Sequence, residues 1–381
     1  MTPSAPPGRP LTIIHVAAPA PVGGLERVVT ALATGHARSG HRVHVVSVFD
    51  QNEEARPLAA GIPGVETHVV RIPPRRYWRE RAAVAALARA AGADVLHTHG
   101  YRPDVVDAGA ARSLGIPVVT TVHGFTAMGP GIRGRLYEWL QVRSYRRFDA
   151  VVAVARRLEA TLAAAGVARS QLFLIPNAWS GWAQPPFGRA EARRALGLPD
   201  GPPCLGWVGR LSREKAPDLL LDALALLRDV SCLAAFVGAG REEPALRERA
   251  AALGVADRVV WCGLVPDAAR LYAAFDLFVL SSRTEGTPIA LFEAMAAGTP
   301  LIATEVGGVP DVVSEREAWL VPAGDPAALA RAVRAALADP AAASARAAAA
   351  RARLDAEFAP GPWLARYEAL YRRILERRRP A

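Results

Sequence analysis

Short apolar runs alternate along the chain with Ala- and Leu-rich stretches of helical period. In the first half the runs predict strands over Leu11–Val16, Arg42–Val48, Asp94–His97, Pro117–Val122 and Ala150–Val154. In the second half they predict strands over Cys204–Gly209, Cys232–Val237, Arg258–Cys262, Asp276–Leu280 and Pro300–Ala303. Such alternation is the pattern of a parallel sheet covered by helices, so each half reads as one doubly wound α/β domain. Between the halves, residues 175–203 are rich in Pro, Gly and Trp and predict a linker holding a short helix, with a cleft opening beside it. Open parallel sheets bind ligands outside the carboxyl ends of their strands, so the residues just after each strand carry the candidate chemistry.

Composition narrows the class. A chain of 381 residues with 51% hydrophobic and 22% charged residues suits two folded domains and excludes disorder. The start, MTPSAPPGRP, lacks an apolar signal core, and no run approaches the roughly 18 apolar residues of a membrane span, so a cytoplasmic protein is expected. Cys204, Cys232 and Cys262 lie in strand-like runs without Cys-x-x-Cys spacing and read as small core residues, not metal ligands or disulfides. The net charge of +10 is spread widely, with clusters at 71–81, 143–149 and the C-terminal end. A solvated Arg-rich surface is favoured over nucleic-acid binding. Attraction to an anionic substrate, or peripherally to the inner face of an anionic membrane, stays open.

Five strand-end loops stand out. After the first strand, Gly23 and Gly24 open an amphipathic helix where backbone amides and the helix dipole favour an anion. His123 ends a strand with Gly124 behind it; His97 and His99 share that edge, alternate to one side, and one of them is expected only to pack. Arg210 ends the strand CLGWVG, and Lys215, the only lysine in the chain, follows five residues later. Two cations there suit a diphosphate, which Arg grips as a fork and Lys as a point charge. Gly238 and Gly240 form a turn lacking the third glycine of the dinucleotide fingerprint. The fifth loop, SSRTEGTPIALFEAMAAGTP from 281, predicts a helix capped by Thr287, with Pro288 in its first turn, ended by Gly298. Glu293 is the one charged residue inside this apolar helix, so it needs hydrogen-bond donors; Glu285 stands just ahead of the cap. Two carboxylates would repel phosphates, so neutral hydroxyls are their expected partners.

Taken together, Gly23 to Glu26, His123, Arg210 with Lys215, and the glutamates of EGTPIALFE resemble the retaining glycosyltransferases of family 4, over nearly the whole chain. The resemblance implies the GT-B architecture: a Rossmann-like acceptor-side domain over 1–180, a Rossmann-like nucleotide-sugar domain over 181–361, and a C-terminal helix over 362–381 packing back on the first. It implies a nucleotide-sugar donor, UDP-sugar favoured over GDP-sugar, and no cofactor. Arg210 and Lys215 would hold the diphosphate, with Gly23, Gly24, Gly238 and the segment Gly286, Thr287, Pro288, Ile289 close to the donor. Glu285 would contact the sugar hydroxyls, Glu293 the ribose and His123 the sugar, and the base would rest near Cys262. No Asp-x-Asp pair occurs, so no metal is expected. The acceptor would be a glycan or a lipid-linked hydroxyl, met by loops such as 71–81 and 124–135. A nucleotide-sugar epimerase on the same fold and a non-catalytic basic adaptor are the alternatives; an NAD dehydrogenase is weaker for want of the glycine fingerprint.

Overall fold

The computed structural model describes residues 9–19, 23–54, 56–73, 75–124, 132–182 and 184–378. Most of the loop 124–135 lies outside them. The chain forms two compact units. The first holds the described residues up to Val154, Glu159–Ile175 and those from Gly361 on; the second holds Ala155–Leu158 and Pro176–Pro360.

The first unit carries seven strands: β1 (Thr12–Ala17), β2 (Arg42–Asp50), β3 (Val65–Ile72), β4 (Val95–His99), β5 (Val118–Val122), β6 (Ala150–Ala153) and β7 (Leu172–Leu174). They pair in parallel in the order β3-β2-β1-β4-β5-β6-β7. The second unit carries β8 (Cys204–Val208), β9 (Leu233–Val237), β10 (Val259–Gly263), β11 (Leu277–Leu280), β12 (Leu301–Thr304) and β13 (Ala318–Val321), in the parallel order β10-β9-β8-β11-β12-β13. Each sheet therefore has one switch point, where the strand order reverses: between β1 and β4, and between β8 and β11. A crevice at the carboxyl end of such a point is where doubly wound sheets take ligands.

Every predicted strand is present, shifted at its ends by a residue or two, because a run such as Ile13, Ile14 and Val16 is buried on both faces. The strands β3, β7 and β13 were not predicted. All three lie at sheet edges; β3 reads VETHVVRI and is half exposed along its length, since an edge strand tolerates polar residues, while β7 and β13 are apolar but only three and four residues long. The helix expected after Thr287 also needs a correction. It spans Ile289–Ala297, its N-cap is Pro288 in extended conformation, and no side chain caps it. Pro288 stands outside the helix instead of in its first turn, so the Thr287 hydroxyl is one residue too early to cap it. Gly298 ends it in the left-handed conformation, as expected.

The last helix, Pro360–Arg378, packs in the first unit. It buries Tyr367, Leu370, Tyr371 and Ile374, a helical i, i+3, i+4, i+7 stripe. No helix among the described residues is long and apolar enough to cross a membrane.

Candidate active site

At the second switch point the loops after β8 and β11 meet. Lys215, from the first loop, places its ammonium 2.7 Å from both carboxylate oxygens of Glu285, from the second. The Ser282 hydroxyl donates to the same carboxylate at 2.6 Å. Glu285 is nearly buried, with 5% of its side chain exposed, whereas Lys215 keeps 30% open to water. An ammonium carries three N–H donors. Two oxygens of Glu285 account for at most two of them, and the open side leaves the third for an incoming anion.

Local packing fixes the lysine. Ala216, which follows it, is buried and held at φ 49, the sparsely populated left-handed region for a residue with a side chain. Its carbonyl accepts from the Ser281 hydroxyl at 2.7 Å, and that hydroxyl accepts from the Trp207 indole at 3.0 Å. A strained residue pinned by a buried network sets the direction of the lysine before it. Arg210 is exposed and makes no ion pair among the described residues. Glu214 lies close to both cations. Burial raises its carboxyl, but hydrogen bonds from its own backbone and Ser212, together with the charges of Arg210 and Lys215, outweigh this and leave its pKa lowered.

Glycines let the loops press together. At Gly238, where φ is +141, a Cβ would lie 1.8 Å from the Gly209 carbonyl oxygen, so this glycine is explained by the contact between the loops after β9 and β8. Gly307, at φ +53, plays the same part after β12: a Cβ there would lie 1.8 Å from the Glu285 carbonyl oxygen. Its neighbour Gly308 donates its N–H to the Gly286 carbonyl at 3.1 Å. The segment EVGGVP, 305–310, thus braces the Glu285 loop, although the sequence reading did not single it out.

Glu293 is 4% exposed and accepts from the Tyr272 hydroxyl at 2.7 Å. Part of the donor demand inferred for this carboxylate is therefore met by a tyrosine from the turn helix Ala268–Ala274. The Thr287 carbonyl accepts from the Asn177 amide at 3.5 Å. Cys262, half-buried on the edge strand β10, turns its thiol toward the Leu196 carbonyl at 3.7 Å, and burial pushes the thiol up to about 11.

The first unit's switch point is furnished with imidazole. His15 on β1 joins His99 on β4 through Nδ1 and Nε2 at 3.0 Å, and His99 Nδ1 reaches His123 Nε2 at 3.3 Å. His97 points to the same side as His99, its ring centroid 4.1 Å away. It is held separately, by the Tyr371 hydroxyl at 2.7 Å and the Thr121 hydroxyl at 2.9 Å. Both strand histidines therefore bond, where one was expected only to pack. Burial drives His15 down to about 3 and His123 down to about 4. Burial, reinforced by neighbouring histidines, also lowers His97 and His99 well below the ordinary value. All four are neutral at pH 7.

Gly23 is the N-cap of the helix Gly24–Arg38. A Cβ on Gly23 would come within 2.4 Å of the Glu26 carboxylate, so the glycine makes room for that first-turn acid. Two groups among the described residues could hold a metal, His15–His97–His99 and His44–Glu66–His68; both lie in the first unit and neither uses a cysteine.

Comparison with known proteins identifies the family. Residues 22–179 match the model of Glycosyltransferase Family 4, and residues 188–354 that of Glycosyl transferases group 1. A D-inositol 3-phosphate glycosyltransferase of Catenulispora acidiphila is 31% identical over 357 residues, covering 84% of this chain and 83% of that protein. The lipopolysaccharide core biosynthesis mannosyltransferase LpsB of Rhizobium meliloti is 34% identical over 189 residues, 47% of this chain; the match spans about half, 52%, of that relative's length. The fold superposes on Anabaena HepE in complex with UDP-glucose with a TM-score of 0.81 at 22% identity, covering 96% of this chain and 99% of that one. With both halves matched in order and a relative aligned along most of its length, the chain belongs to the group 1, family 4 glycosyltransferases.

Proposed function

We propose that this glycosyltransferase moves a hexose from a nucleotide-sugar, a UDP-sugar in preference to a GDP-sugar, to a hydroxyl of a glycan or lipid-linked acceptor, with retention of configuration and without a metal. The observation that carries the reading is the Lys215–Glu285 contact at the second switch point, with both oxygens 2.7 Å from the ammonium. The UDP-glucose bound by the Anabaena protein of the same fold supports the choice of donor.

In this reading the carbon–oxygen bond between sugar and diphosphate breaks, and negative charge grows on the departing phosphate oxygen. Lys215, already oriented by Glu285, and Arg210 stabilise that charge from fixed positions, together with the backbone N–H groups of Gly286, Thr287 and Ile289. Glu285 contacts a sugar hydroxyl while holding the lysine. Glu293, steadied by Tyr272, takes the ribose diol, and the main chain near Cys262 flanks the base. His123 donates to the transferred sugar, and the amides at Gly23 and Gly24 approach the phosphate. The acceptor oxygen forms its bond on the face that the phosphate leaves, and its proton passes to the departing phosphate, so no protein nucleophile is required.

The acceptor class rests on the first unit's surface. Tyr77 and Trp78 are 46% and 67% exposed, beside the cations of the 71–81 cluster, with Arg79 stacked 5.1 Å from the Trp78 ring. Exposed aromatics among cations suit an anionic membrane surface, at the cytoplasmic face, where a lipid-linked acceptor would be met.

A thermal-shift panel of UDP, GDP and their sugars in EDTA tests the reading, because a ligand bound only by the folded state raises its stability. Stabilisation by UDP and UDP-sugars without metal is expected; a requirement for magnesium would overturn the metal-free part. Retention is read from the anomeric coupling of the product formed on an acceptor panel. Donor incubated alone separates transfer from epimerisation, since an epimerase would return an altered nucleotide-sugar.

A further inference from the structure

Three of the first unit's histidines form one hydrogen-bonded row. His15, His99 and His123 are joined by two contacts, 3.0 and 3.3 Å, that consume both nitrogens of His99 and one nitrogen of each neighbour. Three neutral imidazoles carry three N–H protons. Two of them lie in the two contacts. The third must sit at one end of the row, on His15 Nε2 or on His123 Nδ1.

The ends differ. His15 is fully buried, and its Nε2 has no hydrogen-bond partner among the described residues. His123 is only half-buried. A buried N–H without an acceptor is rarer and costlier than a buried lone pair. The third proton therefore belongs at His123. The His15 N–H then points to His99, the His99 Nδ1–H points to His123 Nε2, and His123 is left with its proton on Nδ1.

We propose that His15 and His99 are positioning residues that lock His123 in its Nδ1–H tautomer, so that it meets the substrate as a neutral hydrogen-bond donor and not as a base. The lowered pKa values of all three rings agree, since a protonated member would break the one-way order. His97 takes no part, both its nitrogens being committed to Tyr371 and Thr121. The lock itself depends on the first unit alone; its use in sugar transfer rests on the function proposed above.

The test is tautomer-resolved NMR on the full chain labelled with 15N-histidine at pH 7.5, with His123 assigned from the spectrum of His123→Gln. The ring of free histidine favours Nε2–H in water, so Nδ1–H at His123 is a distinctive outcome and is the one expected. His99→Phe should release the lock and return His123 toward Nε2–H. His99→Gln, whose amide can still donate to His123 Nε2, should preserve it. Turnover should fall about tenfold in His99→Phe with the donor KM nearly unchanged, less than the hundredfold or more lost when an oxyanion donor is removed outright, and His99→Gln should recover most of it. Nε2–H at His123 in the wild-type protein would overturn the proposal even if no variant folds, and so would Nδ1–H persisting in His99→Phe. The spectrum needs neither donor nor acceptor, so it stands or falls separately from the transfer reaction.

Discussion

The two switch points of this chain are the same piece of topology carrying opposite chemistry. In the second unit the loops after β8 and β11 bring together a full cation and a full anion, Lys215 and Glu285. In the first unit the strands β1 and β4 bring together uncharged imidazoles whose burial keeps them neutral. The residue inventory divides the same way: all eight histidines fall in the first unit and the single lysine in the second. Topology decides where a site can be; the side chains delivered there decide whether it handles developing charge or only orients neutral hydroxyls.

Removing the charge from the second point should have the largest effect. Lys215→Ala is expected to lower turnover by a few hundredfold, or about 3–4 kcal/mol, as when a well-placed donor to a developing oxyanion is lost. It also leaves Glu285 nearly buried without its cation, so a fall in Tm should accompany it; Glu285→Gln in the same background should restore the Tm but not the rate. A double variant as unstable as Lys215→Ala would show that the ion pair is not what couples the loops.

Acid should separate the units next. A buried histidine whose folded pKa lies below its unfolded value of about 6.5 binds a proton only on unfolding. Its contribution to stability is thus fully present above pH 6.5 and is lost as the pH falls toward the folded value, about 3 for His15 and about 4 for His123. Each such ring costs up to about 1.4 kcal/mol per pH unit over that window. Two carboxyls of the same unit oppose this: burial lifts Asp104 to about 6 despite hydrogen bonds from Thr98, Thr120, Gln141 and Tyr145, and burial with the nearby Glu80 lifts Asp107 well above the usual carboxylate range, so their protonation favours the folded form. Amide exchange from pH 7.5 to 5.5 should show protection collapsing in the first unit and holding in the second. Uniform loss across both units would break the comparison.

Smaller effects sharpen the second site. Glu293→Gln should weaken nucleotide binding about tenfold by removing a charge-assisted contact, and Tyr272→Phe should do so a few-fold, since it removes only the donor that steadies that carboxylate. Calorimetry with UDP checks the order; equal losses, or none, would give both residues to the core.

How much of this was legible depended on how local the signal was. The central strands announce themselves because two buried faces demand continuous apolar residues, while β3 escapes because this edge strand keeps polar positions, and β7 and β13 escape because runs of three and four residues are too short to stand out. Lys215 was legible from composition alone, in a chain that uses Arg everywhere else. Its partner was not: Glu285 was expected to face neutral hydroxyls, and its pairing with a residue 70 positions away is a tertiary fact. The Gly307–Gly308 brace was equally hidden, because ordinary turns also use glycines. His15 drew no notice within an apolar strand, where only the packing of β1 against β4 reveals what its ring meets.

The central claim is that Lys215 acts as a compact point charge on the departing diphosphate. It is tested most directly by comparing wild-type protein with Lys215→Arg in EDTA, measuring UDP affinity and donor turnover on the same samples. The account predicts a folded variant that keeps its net charge and binds UDP within about tenfold of wild type. Its turnover should nevertheless fall by on the order of a hundredfold, because the broad guanidinium fork cannot take the place of an ammonium seated 2.7 Å from both oxygens of Glu285. Near-normal turnover in Lys215→Arg would contradict it.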